Sequence, residues 1–218
     1  MYRQIALFVV VLCAIFGLSA ATLGVDISSG SDISSFSCLK SNGYSFAIIR
    51  CWESVGQPDS NCPHSMYNAW DGGMADVDAY MFPCFSCGNG AGQVESMVNY
   101  IKSYNAKYGM VWFDIEGPGV YWSDNQADNQ AFFNSMVAGA HAVGAKVGIY
   151  TSASQWIPIM GNWAGGASFP LWYAHYDDNP SFSDFQPFGG WNTPAIKQYN
   201  GDVTVCGLGV DQNWNKTN

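Results

Sequence analysis

The chain has 218 residues and a formal net charge of −9, with 17 acidic side chains against 8 basic ones. This composition argues against a nucleic-acid partner, because a polyanion is repelled at long range and no basic stripe with interleaved aromatic residues is present. The acidity favours work in an acidic compartment, where part of the negative charge is neutralised.

The N-terminus predicts a secretory signal peptide over residues 1–21. Arg3 provides a basic start, residues 5–18 form an apolar run, and Ser19, Ala20 and Ala21 supply small residues for cleavage. No later segment approaches the roughly 20 apolar residues of a membrane-spanning helix. Residues 22–218 are therefore expected to form a single monomeric catalytic domain with no membrane contact, either secreted or delivered to a lysosome or phagosome.

Strand-like and helix-like segments alternate along the rest of the chain. Strands are predicted at residues 23–27, 46–50, 77–82, 110–115 and 146–150, and helices at 32–40, 66–75, 94–104 and 132–143. After Tyr150 the helical pattern fades, and three short strands are predicted at residues 171–174, 195–199 and 208–211.

This order predicts an α/β fold with a parallel sheet, closed as a modified TIM-type (β/α) barrel that is poor in helices after the fifth strand. An open doubly wound sheet would carry a glycine-rich phosphate turn after its first strand, and residues 26–30 do not form one. Barrel sites lie at the carboxyl ends of the strands. The residues at or just past those ends are Asp26, Glu53, Tyr80, Asp114, Glu116, Tyr150, Trp172, Gln198 and Asp211.

The motif Asp114-Ile115-Glu116 ends the fourth predicted strand. Alternate strand residues share a face, so the Cα atoms of the two acids are roughly 6.6 Å apart at about 3.3 Å rise per residue. Their repulsion is expected to raise the pKa of one carboxyl, which then serves as a general acid while the other stays ionised. With 16% aromatic and only 11% charged residues, the chain favours such chemistry on a sugar polymer.

Six cysteines follow the predicted signal peptide, an even number in an oxidising pathway, so three disulfides are expected among Cys38, Cys51, Cys62, Cys84, Cys87 and Cys206. The barrel places Cys51, Cys84 and Cys87 after neighbouring strands. This predicts bridges among them and Cys62, and Cys38 would then pair with Cys206. The C-x-x-C spacing of Cys84 and Cys87 leaves a thiol redox pair, or half of a zinc site, as alternatives.

Seven motifs, taken in order, resemble glycoside hydrolase family 25, the Ch-type lysozymes. They are Gly24-Val25-Asp26-Ile27-Ser28, Ile48-Ile49-Arg50 with Glu53, Phe113-Asp114-Ile115-Glu116, Tyr150-Thr151-Ser152 with Trp156, Leu171-Trp172-Tyr173-Ala174, Gln198-Tyr199 and Val210-Asp211-Gln212-Asn213. The resemblance implies an N-acetylmuramidase that cuts the β-1,4 bond between N-acetylmuramic acid and N-acetylglucosamine in bacterial peptidoglycan, without a cofactor. The cysteine-rich chain is most similar to the secreted versions of amoebae and nematodes.

The resemblance also implies roles for single residues. Glu116 would donate the proton, and Asp114 would stay ionised and orient the 2-acetamido group of the sugar, or else stabilise oxocarbenium-like charge. Asp26 and Asp211 would raise the pKa of Glu116. The implied substrate contacts are Glu53, Tyr80, Tyr150, Trp172 and Gln198. The chain departs from the family at Tyr80-Met81-Phe82, where Tyr-His-Phe is common, and at Ser29-Gly30-Ser31, where an aromatic-Gln pair is common.

Other functions stay open at this stage. A substrate-assisted chitinase also ends its fourth barrel strand in Asp-x-Glu, although Gly109 and Trp112 stand where its further Asp residues would be. A non-catalytic peptidoglycan-binding protein would keep the pocket without the chemistry. Four carboxylates could hold a divalent metal, but no metal is predicted, because the three histidines show no paired ligand spacing.

Several further side chains are candidates for the cleft. His175 could line it, with a packing or surface histidine as the alternative. Trp52, Trp122 and Trp172 are candidate stacking platforms for pyranose rings, with simple core membership as the alternative.

Overall fold

The computed structural model describes residues 21–216, so the predicted signal peptide lies outside the described residues except for Ala21. The strands are β1 Ala21–Ile27, β2 Tyr44–Glu53, β3 Gln57–Pro58, β4 Asp76–Met81, β5 Val111–Asp114, β6 Val147–Thr151, β7 Leu171–Ala174, β8 Ile196–Val205 and β9 Leu208–Lys216. The helices are α1 Ile33–Ser41, α2 Cys62–Asp71, α3 Gly90–Ser103, α4 Gln126–Val143 and α5 Ala153–Met160, with a 3-10 turn at Ala164–Gly166. Over the described range, none of these helices is long and apolar enough to cross a bilayer.

Eight strands form a closed barrel in the order β1, β9, β8, β7, β6, β5, β4, β2, and β1 pairs with β2 to close it. The predicted modified TIM-type barrel is confirmed. The expectation of a parallel sheet is wrong for the last strand, because β9 runs antiparallel to both β1 and β8. β8 and β9 are joined by Cys206 and Gly207, whose positive φ angles of 56° and 74° form a two-residue hairpin turn that reverses the chain.

Alternate strand residues fill the barrel interior with a layer of large side chains. Its members are Phe46, Ile48, Trp112, Tyr150, Trp172 and Ile196, and a second cluster packs the outside of the strands against the helices. Two glycines make room for this layer. A Cβ atom on Gly24 would lie 2.2 Å from the Phe46 ring, and one on Gly148 would lie 2.3 Å from the Trp112 ring. The site at the strand ends therefore has an aromatic floor.

Two helices differ most from the predicted pattern. α2 begins at Cys62, earlier than predicted, because Cys62 is bonded to Cys51 and Pro63 suits the first helical turn. α5 was not predicted, since it has only 8 residues and contains Pro158. It nevertheless buries Trp156 against the barrel.

The segment of residues 175–195 after β7 contains no helix and covers the outside of the barrel with irregular chain. Lys197 of β8 is 0% exposed, and its Nζ donates to Asp177 at 2.8 Å and to Asp184 at 2.7 Å. Phe182 packs edge to face on Trp214, with ring centroids 4.7 Å apart. A buried ion pair and aromatic contacts thus hold this segment where a regular barrel would place a helix.

All six cysteines after the predicted signal peptide are paired. The disulfides are Cys38–Cys206, Cys51–Cys62 and Cys84–Cys87. The first joins α1 to the β8–β9 turn, and the other two stabilise loops at the carboxyl ends of β2 and β4. With Cys51 and Cys62 bonded to each other and Cys84 bonded to Cys87, these four do not form a zinc site.

Candidate active site

Four carboxyl groups meet at the carboxyl-terminal end of the barrel. Asp26 lies on β1, Asp114 ends β5, Glu116 follows two residues later, and Asp211 lies on β9 directly opposite Asp26. They line one cavity of about 100 Å³ together with Tyr80, Tyr150, Trp172, Tyr176 and Gln198. Of the residues predicted from strand ends, all except Glu53 line this cavity.

The side-chain amide of Gln198 holds two of the carboxyl groups. Its Nε2 donates to Asp26 Oδ2 at 2.8 Å and to Asp211 Oδ2 at 3.2 Å. Its Oε1 accepts from the hydroxyls of Tyr150 at 2.6 Å and Tyr176 at 2.8 Å. Both polar atoms of this amide bond to side chains of the site. Gln198 therefore links the two carboxyl groups to the two tyrosine hydroxyls.

Asp26 has a second amide donor. Asn213 Nδ2 donates to Asp26 Oδ2 at 2.7 Å, and Asn213 Oδ1 in turn accepts from Trp172 Nε1 at 2.7 Å. Asn213 is 0% exposed. The buried network therefore fixes Asp26 from two sides, and this constrains where its carboxylate can point.

Asp114 differs from Asp26 because, among the described residues, no donor bonds to either of its carboxyl oxygens, whereas Asp26 Oδ2 accepts two hydrogen bonds. Its side chain is 4% exposed, and Oδ1 is buried without a hydrogen bond. Leaving a buried polar atom unpaired costs about 1–3 kcal/mol, so such an atom at a cavity wall calls for an explanation. A substrate hydrogen-bond donor placed in the cavity would provide one.

Burial raises the pKa of all four carboxyl groups, and their mutual repulsion adds to the effect. The pKa of Asp26 is raised well above its usual value by burial and then by the charge of Asp211, and the pKa of Asp114 by burial and then by the charge of Glu116. Burial and the charge of Asp211 raise the pKa of Glu116, and burial raises that of Asp211. The deeper acid, Asp114, therefore also has a raised pKa, and its ionised form remains a prediction.

The backbone after β5 carries Glu116 toward solvent. Gly117 has a φ of 74°, and its amide N donates to Gln155 Oε1 at 2.8 Å. Trp122 Nε1 donates to the Glu116 carbonyl at 3.0 Å. Glu116 also lines a second cavity of about 250 Å³ with Thr151, Ser152, Gln155, Ala174 and His175. Of the four acids, it is the one that faces this open side.

A third cavity extends the cleft in the other direction. It has a volume of about 310 Å³ and is lined by Ser28, Ser29, Asp202 and Thr204, and it shares Asp26, Tyr80 and Asp211 with the central cavity. The central cavity shares lining residues with each of the other two, so the three lie side by side at the mouth of the barrel and together are called the groove. A groove of this kind suits an extended polymer rather than a small isolated ligand.

Comparison with known proteins agrees with this geometry. Residues 18–199 match the family profile described as "Lysozyme-like protein 1". A protein of Dictyostelium discoideum described as "Probable GH family 25 lysozyme 2" is 63% identical over 210 residues, which cover 95% of this chain and 98% of that protein. The chain belongs to glycoside hydrolase family 25. "Lysozyme-like protein 5" of Caenorhabditis elegans is 38% identical over 95% of this chain and 97% of its own length.

The fold comparison points the same way. The bacterial lysozyme from Streptomyces coelicolor superposes with a TM-score of 0.71 at 27% sequence identity, over 89% of this chain and 92% of its own. This family 25 chain is therefore a glycoside hydrolase of the lysozyme class.

Glu53 does not line the cleft of this family 25 protein, which corrects its predicted placement. It accepts from Gln57 Nε2 at 2.7 Å and lies 3.6 Å from Arg50. The pairing of β2 with β4 shifts register between Arg50 and Trp52, and β3 then pairs with the end of β2. The strand therefore continues past the rim as a hairpin and carries Glu53 away from the barrel mouth.

Two of the three predicted stacking tryptophans are core residues. Trp52 is 4% exposed and donates from Nε1 to Gln93, and Trp122 is 6% exposed and packs on Phe85 and Phe132. Both rings belong to the outer cluster between strands and helices, and the stacking prediction is wrong for Trp52. Trp122 also lines a separate cavity of about 310 Å³ with Phe85 and Tyr121, so its stacking stays a prediction. Trp172 does line the central cavity.

Tyr176 is a site residue that the sequence reasoning missed. It follows the end of β7 by two residues, just as Glu116 follows the end of β5 by two. The rule that placed Glu116 at the rim could therefore have placed Tyr176 there too. Gln155 and Ser152 were missed because α5 was not predicted.

One group of candidate metal ligands occurs within residues 21–216, formed by His175, Asp177 and Asp184. Lys197 Nζ lies 2.8 Å from Asp177 and 2.7 Å from Asp184. The lysine ammonium thus already bonds to both carboxylates and offsets one of their two negative charges. We therefore describe the group as a salt-bridge network rather than a metal site.

Proposed function

We propose that the protein hydrolyses the β-1,4 bond between N-acetylmuramic acid and N-acetylglucosamine in bacterial peptidoglycan, with Glu116 as general acid and Asp114 assisting the acetamido group. The supporting observation is the pair formed by a buried, unpartnered Asp114 Oδ1 and a Glu116 two residues later on the open side of the same cavity. Family membership supplies the reaction class.

Glu116 suits the role of proton donor. Burial and the charge of Asp211 raise its pKa, so it retains a proton at a pH where an exposed glutamate is ionised. It lines both the central cavity and the adjoining one, so a leaving-group oxygen can approach it. Asp26 and Asp114 are buried, and Asp211, whose pKa is also raised, lines the cavity on the other side of the site.

Asp114 suits the role of assisting the substrate. The N–H of a 2-acetamido group would donate to the unpartnered Oδ1 and so favour the ionised form of the carboxyl group. The acetamido carbonyl oxygen then bonds to the anomeric carbon as the glycosidic C–O bond breaks and Glu116 protonates the leaving oxygen. Water next attacks the anomeric carbon and gives one proton to the Glu116 carboxylate, while the bond from that carbon to the acetamido oxygen breaks; this restores both the acid and the acetamido group.

Asp26 and Asp211 act as positioning residues in this proposal. Both are held by Gln198, and the charge of Asp211 contributes to the raised pKa of Glu116. Gln198 and Asn213 hold Asp26, and Tyr80, Tyr150, Tyr176 and Trp172 complete the wall against which the sugar ring packs.

The test measures release of reducing ends from purified peptidoglycan and from chitin. We expect release from peptidoglycan only, and a loss of at least about 100-fold in Glu116→Gln, because the variant cannot donate the proton. Glu95→Gln on α3 is the matched control and should retain activity. Equal activity on chitin would instead indicate a chitinase, and full activity in Glu116→Gln would refute the assignment of the donor.

We also propose that the protein follows the secretory pathway and acts as a monomer outside the cell or in a lysosome or phagosome. Its three disulfides and predicted signal peptide support this route. N-terminal sequencing of the mature protein should begin at Thr22, and its non-reduced mass should be lower than the reduced mass by six hydrogens. A retained leader or free thiols would contradict the proposal.

A further inference from the structure

The two ends of the groove differ in chemistry. On the side of Asp211, the wall carries the carboxylates of Asp26 and Asp202 as well as hydroxyl groups. On the side of Glu116, the wall carries Ser152, Gln155 and His175. Gln155 Oε1 accepts a hydrogen bond from the Gly117 amide, so the NH2 group of Gln155 remains available to a ligand. One end therefore repels anions, and the other offers hydrogen-bond donors.

His175 is held in a defined orientation at the donor end. Its Nδ1 lies 2.6 Å from Asp184 Oδ2, and its side chain is 51% exposed. Burial alone would raise the pKa of Asp184, but hydrogen bonds from Lys197 and His175 outweigh it and lower that pKa to about 2. Asp184 is therefore an ionised acceptor, so Nδ1 carries the hydrogen of this bond. Nε2 is the ring nitrogen left for a ligand.

The groups around the His175 ring stabilise this orientation. Lys197 is fully buried and binds both Asp177 and Asp184, and the Tyr173 hydroxyl donates to Asp184 at 3.1 Å. Asp177 lies 3.6 Å from His175 Nδ1. Across the cavity, the ring shares its wall with the titratable groups Glu116, Tyr150 and Tyr176. These contacts fix the ring from its Nδ1 side and leave Nε2 toward the cavity wall.

We propose that His175 is a specificity-determining residue whose Nε2 binds the lactyl-peptide substituent of N-acetylmuramic acid in the cavity beside Glu116. This inference rests on the proposed function. The lactyl acyl oxygen and the stem-peptide carboxylates are acceptors, which a protonated imidazole can satisfy and which the acidic end of the groove would repel. N-acetylglucosamine lacks this substituent, so the contact separates peptidoglycan from chitin.

Binding is measured on a Glu116→Gln background, so that no turnover occurs, with a soluble muramyl-peptide oligosaccharide and a chitin oligosaccharide of equal length. At acid pH we expect His175→Ala to reduce the affinity for the muramyl ligand about tenfold, which is the effect of losing one charged hydrogen bond. The affinity for the chitin ligand should not change. His175→Gln retains a donor near the position of Nε2. It should therefore bind the muramyl ligand within about twofold of the parent.

His141→Ala on α4 is the matched control and should bind both ligands like the parent. The inference would be overturned if His175→Ala weakened the binding of both ligands equally, if it weakened the binding of neither, or if His175→Gln lost as much muramyl binding as His175→Ala. Turnover of peptidoglycan by the wild type is measured separately. Its absence would refute the proposed function, whereas the binding difference would still decide the role of His175.

Discussion

Asp26 and Asp211 face each other where the first and last strands close the barrel, and the same Gln198 amide nitrogen donates to both carboxyl groups. Neighbouring acids in a buried site normally repel. Here one neutral donor bridges them, and the charge of Asp211 in turn raises the pKa of Glu116.

Replacement of Gln198 by alanine should raise the pKa of Asp26, because the hydrogen bond from Gln198 now lowers it. We expect the acid limb of the kcat profile to move to higher pH and kcat to fall about tenfold or more. A pH-rate profile on soluble peptidoglycan fragments measures this. Asn200→Ala removes an amide that contacts Gln212 outside the network and serves as control; an equal shift there would argue against the bridge.

Stability should decrease as the pH rises from about 4 to 7. A carboxyl group whose pKa is raised on folding stabilises the fold fully below its unfolded pKa, and this contribution is lost as the pH rises through the folded pKa. Asp78, whose pKa burial raises to about 6, contributes between about pH 4 and 6. Asp114, whose pKa burial also raises, changes the stability in the same direction. Urea unfolding across this range measures the trend, and a rise in stability would contradict it.

Asp114→Asn should raise the stability of the protein and lower its activity. At pH 7 we expect it to exceed the wild type in unfolding free energy by on the order of 1 kcal/mol or more, because it removes a buried charge, and to converge with it near pH 4. Its activity should fall at least about 100-fold. Asp124→Asn, an exposed control, should change neither quantity. A destabilised Asp114→Asn at pH 7 would contradict the raised pKa.

Gly148→Ala should destabilise the protein by about 1–3 kcal/mol, because the added Cβ would lie 2.3 Å from the Trp112 ring in a packed barrel. Thermal unfolding and Trp fluorescence would report the displaced ring. Gly209→Ala is the matched control, since its Cβ would meet no atom within 4 Å and its φ is not positive. Equal effects of the two changes would show that the interior is not close-packed at Trp112.

Substrate assistance by Asp114 predicts that the anomeric configuration is retained. Attack by the acetamido oxygen and then by water inverts the anomeric carbon twice. Proton NMR of the first-formed sugar end should therefore show the β anomer before mutarotation. Formation of the α anomer would mean that water attacks directly, with Asp114 stabilising oxocarbenium-like charge instead.

The alternation of strand-like and helix-like segments along the chain predicted the barrel, because hydrophobic periodicity can be read from the local sequence alone. It also brought Asp26, Tyr80, Asp114, Tyr150 and Gln198 to one rim, since strand ends of a barrel meet at a single face. The even number of cysteines after the predicted leader indicated the three disulfides.

Other features depended on contacts between segments far apart in sequence. The direction of β9, the register shift that carries Glu53 off the rim, and the burial of Trp52 and Trp122 each follow from pairing or packing partners that no local pattern reveals. The raised pKa of Asp114 comes first from burial, which depends on the fold, and then from the charge of Glu116, which the local motif already indicated, and of Asp26 on β1. Periodicity predicts which face of a strand or helix carries a side chain. Only the folded structure determines which groups contact that side chain, and electrostatic and packing energies depend on those contacts.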